Sequence, residues 1–499
     1  MLGCIKNRET EGEVTFELSF LNVDDDDARV YISNYTEQTR NFTLQSKHVY
    51  TERFDTAVEV IGSTLSRKGI KVESDRHLLV YGSSRYNQYG LGGFVSLPIS
   101  HHGYLYYIVT GDVHGEVLIV GVWPDTKVEV KLHLTSDVIT YNDTTYINGS
   151  AITETLDEYH TMQIYSTGDM TGTEIRSSEP VSVFTGSKLI GTYPTTNHMV
   201  DQLPPLNLWG KTYVTVPPPG YIYTCKLTSG SPNTIVTYKC DESWEDFLVL
   251  PEAGSYQTID FNKAACLLSS NEPILVTMII SKYTANPAMV IMSPLDDVTG
   301  EFMTYVPGML VSAQLVIISN SSITIDPNRP LLSTVCPGHL DYCITYLDNL
   351  IGNQTYTVSS QSESFVAAGF VYGRISTWKA ACYSLFYRTS GKAPLPRQQE
   401  DPRVFDNMTT TVLPDTIEGS ASNIVTTKTM NLNKTCLCYN YKKNNSKEIA
   451  NLTQMLKETL FVNPITTNKY IRSLTSAEDP RTSSKLPMRD THLEYLFMH

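Results

Sequence analysis

No stretch of this chain holds about 18 consecutive apolar residues, so nothing in it reads as a membrane-spanning helix. Catalytic signatures are missing as well. There is no GxSxG elbow, no HExxH, no GxxxxGKS/T loop and no GxGxxG after a strand, which removes the common hydrolase, zinc-protease and nucleotide-binding classes. Charge is scarce at 18% of residues, and what there is sums to -14 with a pI near 5.3. No Lys/Arg cluster exists to displace counterions from a phosphate backbone, so nucleic acid is excluded as a partner. Cysteine is sparse at 9 in 499 residues, too few for a disulfide mini-scaffold, and no Cys/His set has zinc spacing. Convincing amphipathic helix is absent from residues 13 to 390.

What remains is β-forming. Tyrosine alone numbers 31, and runs such as EVTFELSF, EVLIVGVW, TKVEVKL and TYVTVP suit pleated surfaces. A longer pattern recurs: GIKVESDRHLLVYG from Gly69, GTEIRSSEPVSVFTG from Gly172, ACLLSSNEPILVTMII from Ala265 and, more weakly, YTVSSQSESFVAAGF from Tyr356. Each copy has an alternating run, a turn-like Ser/Asn-acid step at Asp75, Glu179, Glu272 or Glu363, an apolar run and a Pro stop. We expect an all-β chain of four tandem repeats, each roughly 90–105 residues by the spacing of these acids. Their bounds are near 13–106, 107–212, 213–304 and 305–390, after a lead at 1–12. The Ser-Ser-Glu-Pro and Ser-Asn-Glu-Pro steps read as hairpin turns, since Pro fixes φ and has no N–H for a ladder. Tandem antiparallel sandwiches are the first expectation for the repeats, and a closed propeller with two blades per repeat is the alternative.

Residue by residue, few groups point to chemistry. The run Asp24–Asp27 offers hard oxygen ligands for Ca²⁺, but reads more simply as a solvated acidic loop. His101-His102 reads as a loop pair rather than as a base or ligand. No catalytic, cofactor or metal site is assigned. A two-residue turn at Pro232-Asn233 would place Cys225 across from Cys240, making them a candidate disulfide. The alternatives are two buried thiols, or a bridge from Cys240 to Cys266. Cys336 and Cys343 bracket a Pro-Gly turn, Cys382 lies in the last repeat, and their connectivity is open. Glycosylation sequons occur at Asn34, Asn41, Asn142, Asn148, Asn320, Asn353, Asn407, Asn433, Asn444 and Asn451, which points to an exported chain. The N-terminal MLGCIKNRETEGEV has no apolar signal core, so export would need a leader upstream of this start.

Beyond residue 390 the composition turns to Pro, Thr, Ser and acid. Residues 391–430 read as an extended, flexible linker, and 431–499 as a tail with Cys436 and Cys438 and one short amphipathic helix over Ile449–Leu460.

The stretch SSEPVSVFTGSKLI followed by HMVDQLPPLNLWGKTYVTVP resembles the IgGFc-binding protein N-terminal domain family, whose members share an SDKPVAVF-G segment, an EQLPP segment and WGK-F-TVP. GIKVESDRHLLVYG with FVSLP, and SSNEPILVTMI with MSP, match in the same order. The resemblance covers roughly residues 13 to 390. One feature departs from it: family members often carry a Cys pair before the Leu-Pro-Pro segment, and GSKLIGTYPTTNHMVDQLPP has none. The resemblance implies a non-catalytic interaction module of mucus-associated and cell-surface proteins, extracellular and without a cofactor. It does not by itself imply antibody binding. The expected function is recognition of a protein or glycan partner by Tyr-rich loops. The alternatives are a structural matrix component, or an enzyme acting on extracellular polymers. An exposed Tyr/Trp rim marks the first, and a deep pocket with perturbed carboxylates the last.

Overall fold

The computed structural model describes residues 2–5, 14–36, 39–86, 90–135, 138–191, 196–242, 245–282, 285–296, 301–326, 333–362, 365–375 and 379–385. The chain forms two units, 1–400 and 401–499, and every described residue belongs to the first. The linker, the Cys436 and Cys438 pair and the helix expected over Ile449–Leu460 lie outside the described residues, as does Glu363.

The fold is all-β. One sheet orders Gly90–Val95, Leu78–Tyr86, Val14–Asn22 and Val49–Phe54 side by side, all antiparallel. The same order recurs as Asn197–Gln202, Glu174–Ile190, Gly115–Val120 and His160–Tyr165. It appears again as Ala285–Ile291, Cys266–Lys282, Ile222–Ser229 and Tyr256–Asn262, and as Ala380–Ser384, Ala367–Arg374, Ser312–Ser319 and Cys343–Leu350. The first-named strands are the innermost. Gly90–Val95 packs on both Asn197–Gln202 and Ala380–Ser384, and Ala285–Ile291 packs on the same two, so the four close a ring. This is the geometry of blades about an axis, each built on four adjacent strands of its sheet.

Asn197 holds the axis. Its side-chain nitrogen lies 3.1, 2.8 and 2.6 Å from the carbonyl oxygens of Leu91, Pro287 and Ala380, one on each of the other inner strands. Its side-chain oxygen accepts the Leu91 N–H at 2.9 Å. Glycines at Gly92 and Gly93 let the ring close: a Cβ at Gly92 would meet His198 at 2.5 Å, and one at Gly93 would meet the Tyr383 ring at 2.4 Å.

The expected hairpin turns are absent in two copies. Glu174–Ile190 and Cys266–Lys282 are single strands of 17 residues that run straight through Ser177–Pro180 and Ser270–Pro273. The first half of each pairs in the outer part of its sheet, through Thr126–Lys131 or Thr234–Lys239, and the second half pairs in the blade. Register pairs stop at Ser177 and resume at Val181, and likewise stop at Ser270 and resume at Ile274. The prolines therefore sit where the strand changes partners, where a missing N–H costs no ladder bond. In the other two copies the strand breaks, into Ile70–Ser74 and Leu78–Tyr86, and into Gln354–Ser359 and Ala367–Arg374.

A side-chain oxygen marks this crossing. Asp75 accepts the Arg29 N–H at 2.7 Å, Ser178 the Lys127 N–H at 2.8 Å and Asn271 the Ile235 N–H at 2.7 Å. Asp75 thus corresponds to Ser178 and Asn271, one place before the acids Glu179 and Glu272 with which the sequence pattern aligns it. The apolar runs after the crossing are buried on both faces: Val181, Val183 and Phe184 in one copy, Ile274, Leu275 and Val276 in the other.

Candidate functional site

Where the second blade's long strand crosses, three segments meet. Strand Gly103–Tyr107 lies beside it, with Gly103 opposite Val181. The Gly103 N–H donates to the Tyr106 hydroxyl at 2.9 Å, which in turn donates to the Val181 carbonyl at 2.7 Å, and this fixes the start of that strand. The turn Trp123–Asp125 joins Gly115–Val120 to Thr126–Lys131. Asp125 takes φ 54°, a left-handed conformation that Asp and Asn tolerate better than most residues. The Thr126 hydroxyl donates back to the Trp123 carbonyl at 2.7 Å. Between the segments lies a cleft of about 420 Å³ lined by Tyr104, Trp123, Pro124, Glu179 and Pro180. Trp123 leaves 46% of its surface in water, a large exposed apolar area for a single residue.

The third blade repeats the same backbone with different side chains. Gly210 lies opposite Ile274 and donates to the Tyr213 hydroxyl at 3.0 Å, so Lys211 corresponds to Tyr104 and Glu272-Pro273 to Glu179-Pro180. Asn233 takes φ 55°, and the Thr234 hydroxyl donates to the Ser231 carbonyl at 2.7 Å, so Ser231-Pro232 corresponds to Trp123-Pro124. The fold accepts serine where Trp123 stands. The aromatic pair is therefore an addition to the scaffold rather than one of its supports. Sequence reasoning missed Trp123, although the shared pattern of residue, Pro, Asp/Asn and Thr in WPDT and SPNT was there to align.

The residues singled out from sequence fall elsewhere. In the Asp24–Asp27 run every carboxylate meets a protein group. Asp24 accepts the His77 N–H at 2.9 Å, Asp25 faces Lys47 at 3.2 Å, Asp26 faces Arg76 at 3.1 Å, and Asp27 accepts the Ser46 N–H at 3.0 Å. The His77 backbone bond holds the Asp24 carboxyl below its ordinary range. Of the histidine pair, His101 ends a short 3-10 turn. His102 is buried, and burial lowers its pKa to about 3, so it is a neutral core group rather than part of an open loop.

The Cys225–Cys240 pairing is overturned. Cys240 is bridged to Cys266, and Cys225 is a buried free thiol whose pKa burial pushes up. The turn at Pro232-Asn233 exists, but the strands it joins do not pair with each other: each pairs with a different half of Cys266–Lys282. Ile222–Ser229 pairs in the blade, while Thr234–Lys239 pairs with the start of Cys266–Lys282, where Lys239 faces Leu267 and brings Cys240 beside Cys266. Cys336 is bridged to Cys343, and Cys382 is a buried free thiol.

Of the sequon asparagines, Asn41, Asn142, Asn148, Asn320 and Asn353 are exposed and Asn34 is half-buried, while Asn407, Asn433, Asn444 and Asn451 lie outside the described residues. The carboxyl most displaced upward, Asp201, reaches about 8 through burial against the inner strands, where it accepts the Ile291 N–H at 2.9 Å. It is sealed in the ring and does not line the cleft. Among the described residues no group of His, Cys, Asp and Glu is arranged to hold a metal ion, and no helix is long and apolar enough to cross a membrane.

Comparison with known proteins places the sequence. The family described as IgGFc binding protein matches residues 92–373, more than half of the chain. Human IgGFc-binding protein is 36% identical over 76 residues, 15% of this chain and 1% of that protein. Among solved structures, the BSP domain of a biofilm associated protein is aligned over 77% of this chain and 92% of its own at 6% identity and a TM-score of 0.15. The major pilin of Streptococcus pyogenes is aligned over 75% and 100% at 7% identity and a TM-score of 0.13. Those scores are too low to relate the folds. The family match spans the second and third blades, both long crossing strands and the Trp123 cleft: the chain belongs to the IgGFc-binding protein family.

Proposed function

We propose that this chain is an extracellular, non-catalytic binding glycoprotein whose ring of β-blades presents the Trp123 cleft to a protein or glycan partner, in mucus or at a cell surface. The observation that carries the reading is the half-exposed Trp123 beside Tyr104, at a position where the equivalent turn of the same fold does without an aromatic residue. Large aromatic faces give contact area at low entropic cost, which suits recognition. Two disulfides and the exposed sequon asparagines support an oxidising, exported setting. Against an enzyme stands the separation of the displaced carboxyl, Asp201, from the open cleft. We also propose that the chain is organised as four units whose joints fall in the connections 96–102, 203–209 and 292–301, each between an inner strand and the first strand of the next unit. The Fc region in the human relative's name is not assigned here, since the match spans 1% of that protein.

The test compares the full-length chain with its Trp123→Ala variant, each immobilised and exposed to mucus extract and to a glycan array. A protein or glycan retained by the wild type should fall about tenfold or more with the variant, while both melt at the same temperature. Equal retention by the two would remove the cleft from the function.

A further inference from the structure

We infer that the open edge of the third blade pairs, strand to strand, with the same edge of a second copy of this chain. The argument starts from the register of the blades. The bonds that close the inner strands run from the Leu203 N–H to the Val183 carbonyl at 2.8 Å, from Met292 to Val276 at 2.9 Å and from Leu385 to Gly369 at 3.0 Å, so Phe184, Thr277 and Phe370 are equivalent. Through the ladders, Gln163, Thr258 and Tyr346 then hold one place on the outermost strands of the second, third and fourth blades. In the second blade a further strand, Thr64–Arg67, covers that edge antiparallel, with Thr64 opposite Gln163 and Ser66 opposite Thr161. In the fourth, Ser333–Val335 does the same, with Ser333 opposite Tyr346 and Val335 opposite Ile344. The fold thus adds a strand at the same positions twice, from different parts of the chain. Among the described residues nothing covers the equivalent edge of the third blade, Tyr256–Asn262.

The Ser229 N–H donates to the Ser255 carbonyl at 2.9 Å, and antiparallel bonds alternate. Gln257 and Ile259 therefore turn their backbone inward to Ile222–Ser229, while Tyr256, Thr258 and Asp260 turn theirs outward. Among the described residues no backbone bond meets those outward groups. Gln257, Thr258 and Asp260 are exposed. Exposed edges are usually blunted by proline, lysine or a bulge. Tyr256–Asp260 has no proline or lysine, and the irregularity in its ladder lies beyond Asp260. Symmetry and charge select a second copy as the occupant. A two-fold axis brings a strand against itself antiparallel, the direction that both internal cover strands take. With Thr258 on the axis, threonine meets threonine and Asp260 meets Tyr256, so the one charge of the stretch never faces its like. A chain that carries -14 can meet itself only where this holds. The first blade's edge, Val49–Phe54, also lacks a cover strand among the described residues, but Phe42 and Arg40 of a neighbouring hairpin pack on its Tyr50 and Glu52. A dimer joined through the third blade carries two Trp123 clefts, and weak contacts at each combine.

Sedimentation velocity of the full-length chain over about 1 to 100 μM should show monomer passing to dimer. Thr258→Lys and Thr258→Asp each set like charges face to face on the axis, and each alone should weaken the dimer about tenfold or more. An equimolar mixture of the two should dimerise again, because lysine then faces aspartate. Dilute Thr258→Lys should melt with dilute wild type, since Thr258 is exposed. Thr51→Lys, on the first blade's edge, should leave the dimer intact. A wild type that stays monomeric throughout overturns the second copy and leaves the edge to an extended segment of another protein. A mixture of the two variants that stays monomeric overturns the two-fold pairing. A dimer that survives Thr258→Lys, or that Thr51→Lys removes, overturns the third blade's edge as the contact.

Discussion

Trp123 and Ser231 hold the same place in the same turn: each offers its carbonyl to the hydroxyl of the threonine three residues on, at 2.7 Å in both, and each is followed by proline and a left-handed Asp or Asn. An identical backbone with unlike side chains separates what the fold needs from what one blade adds. Trp123→Ser should therefore leave stability within about 0.5 kcal/mol of wild type while removing the exposed aromatic face. Thermal melts of the two proteins check this, and a drop of several degrees would mean that the indole supports the fold after all.

The covalent links give a second expectation. Cys240–Cys266 closes a loop with a sequence separation of 26, so replacing both by serine should cost about 3 to 4 kcal/mol on the chain-entropy account. Cys225 and Cys382 are buried thiols held protonated by desolvation, and should resist alkylation until the chain unfolds. Non-reduced peptide mapping after native and denaturing alkylation reads both points. A Cys225–Cys240 peptide would contradict the bridge.

Much of the β-architecture was legible, because strand signals are local. The apolar runs at Val181–Phe184 and Ile274–Val276 mark the central strands, and the Leu-Pro and Ser-Pro stops mark the ends of the inner ones. Partner choice was not legible. Ser-Ser-Glu-Pro has turn composition, yet the strand passes through it, because its two halves bond to different strands and the proline falls in the gap between ladders. The Cys225 pairing failed for the same reason. A two-residue turn implies facing strands only if the two pair with each other, and here both pair instead with Cys266–Lys282, on its two halves. Trp123 escaped notice because an exposed tryptophan carries no periodicity. Only the comparison of WPDT with SPNT, turn against turn, exposes it.

A buried charge joins the second blade to the third and makes a pH prediction. The Lys226 ammonium, 1% exposed, lies 2.6 Å from Asp169 and 2.9 Å from Asp112, and the Asp169 carboxylate also accepts from Thr110, Thr171 and Tyr256. Burial alone would raise the Asp169 pKa, but Lys226 and the hydroxyl and backbone N–H of Thr171 outweigh it and hold the carboxyl below its ordinary value. A depressed carboxylate contributes stability in full above the unfolded-chain value near 4, and loses it as pH falls through the lower folded value. Lys226→Met, which strands Asp169, should cost about 3–5 kcal/mol near neutral pH. It should also reverse the acid dependence, because the stranded carboxyl would rather be protonated. Lys226→Met with Asp169→Leu should recover most of the loss. Urea melts between pH 3 and 7 read all three, and a single variant no less stable than the double would sink the argument.

The ring itself can be tested at Asn197, where one side chain reaches carbonyls on three other strands. Sequence gives no warning of this residue, since it follows a Gly-Thr-Tyr-Pro-Thr-Thr stretch that reads as loop. Its amide nitrogen serves Leu91, Pro287 and Ala380, and its oxygen takes the Leu91 N–H. Asn197→Ala would leave these backbone groups facing each other in a buried site with no solvent to replace the amide. The expected cost is about 1–3 kcal/mol, from unmet buried hydrogen bonds rather than from lost apolar contact. Asn197→Asp discriminates further. It keeps the shape and the acceptor for Leu91 but turns an oxygen toward three carbonyls, so it should be at least as destabilising as alanine and worse above pH 6, where an ordinary carboxyl is ionised. Melting of each variant across pH settles the point, and an aspartate variant as stable as wild type at neutral pH would show that the carbonyls around the axis do not depend on the amide.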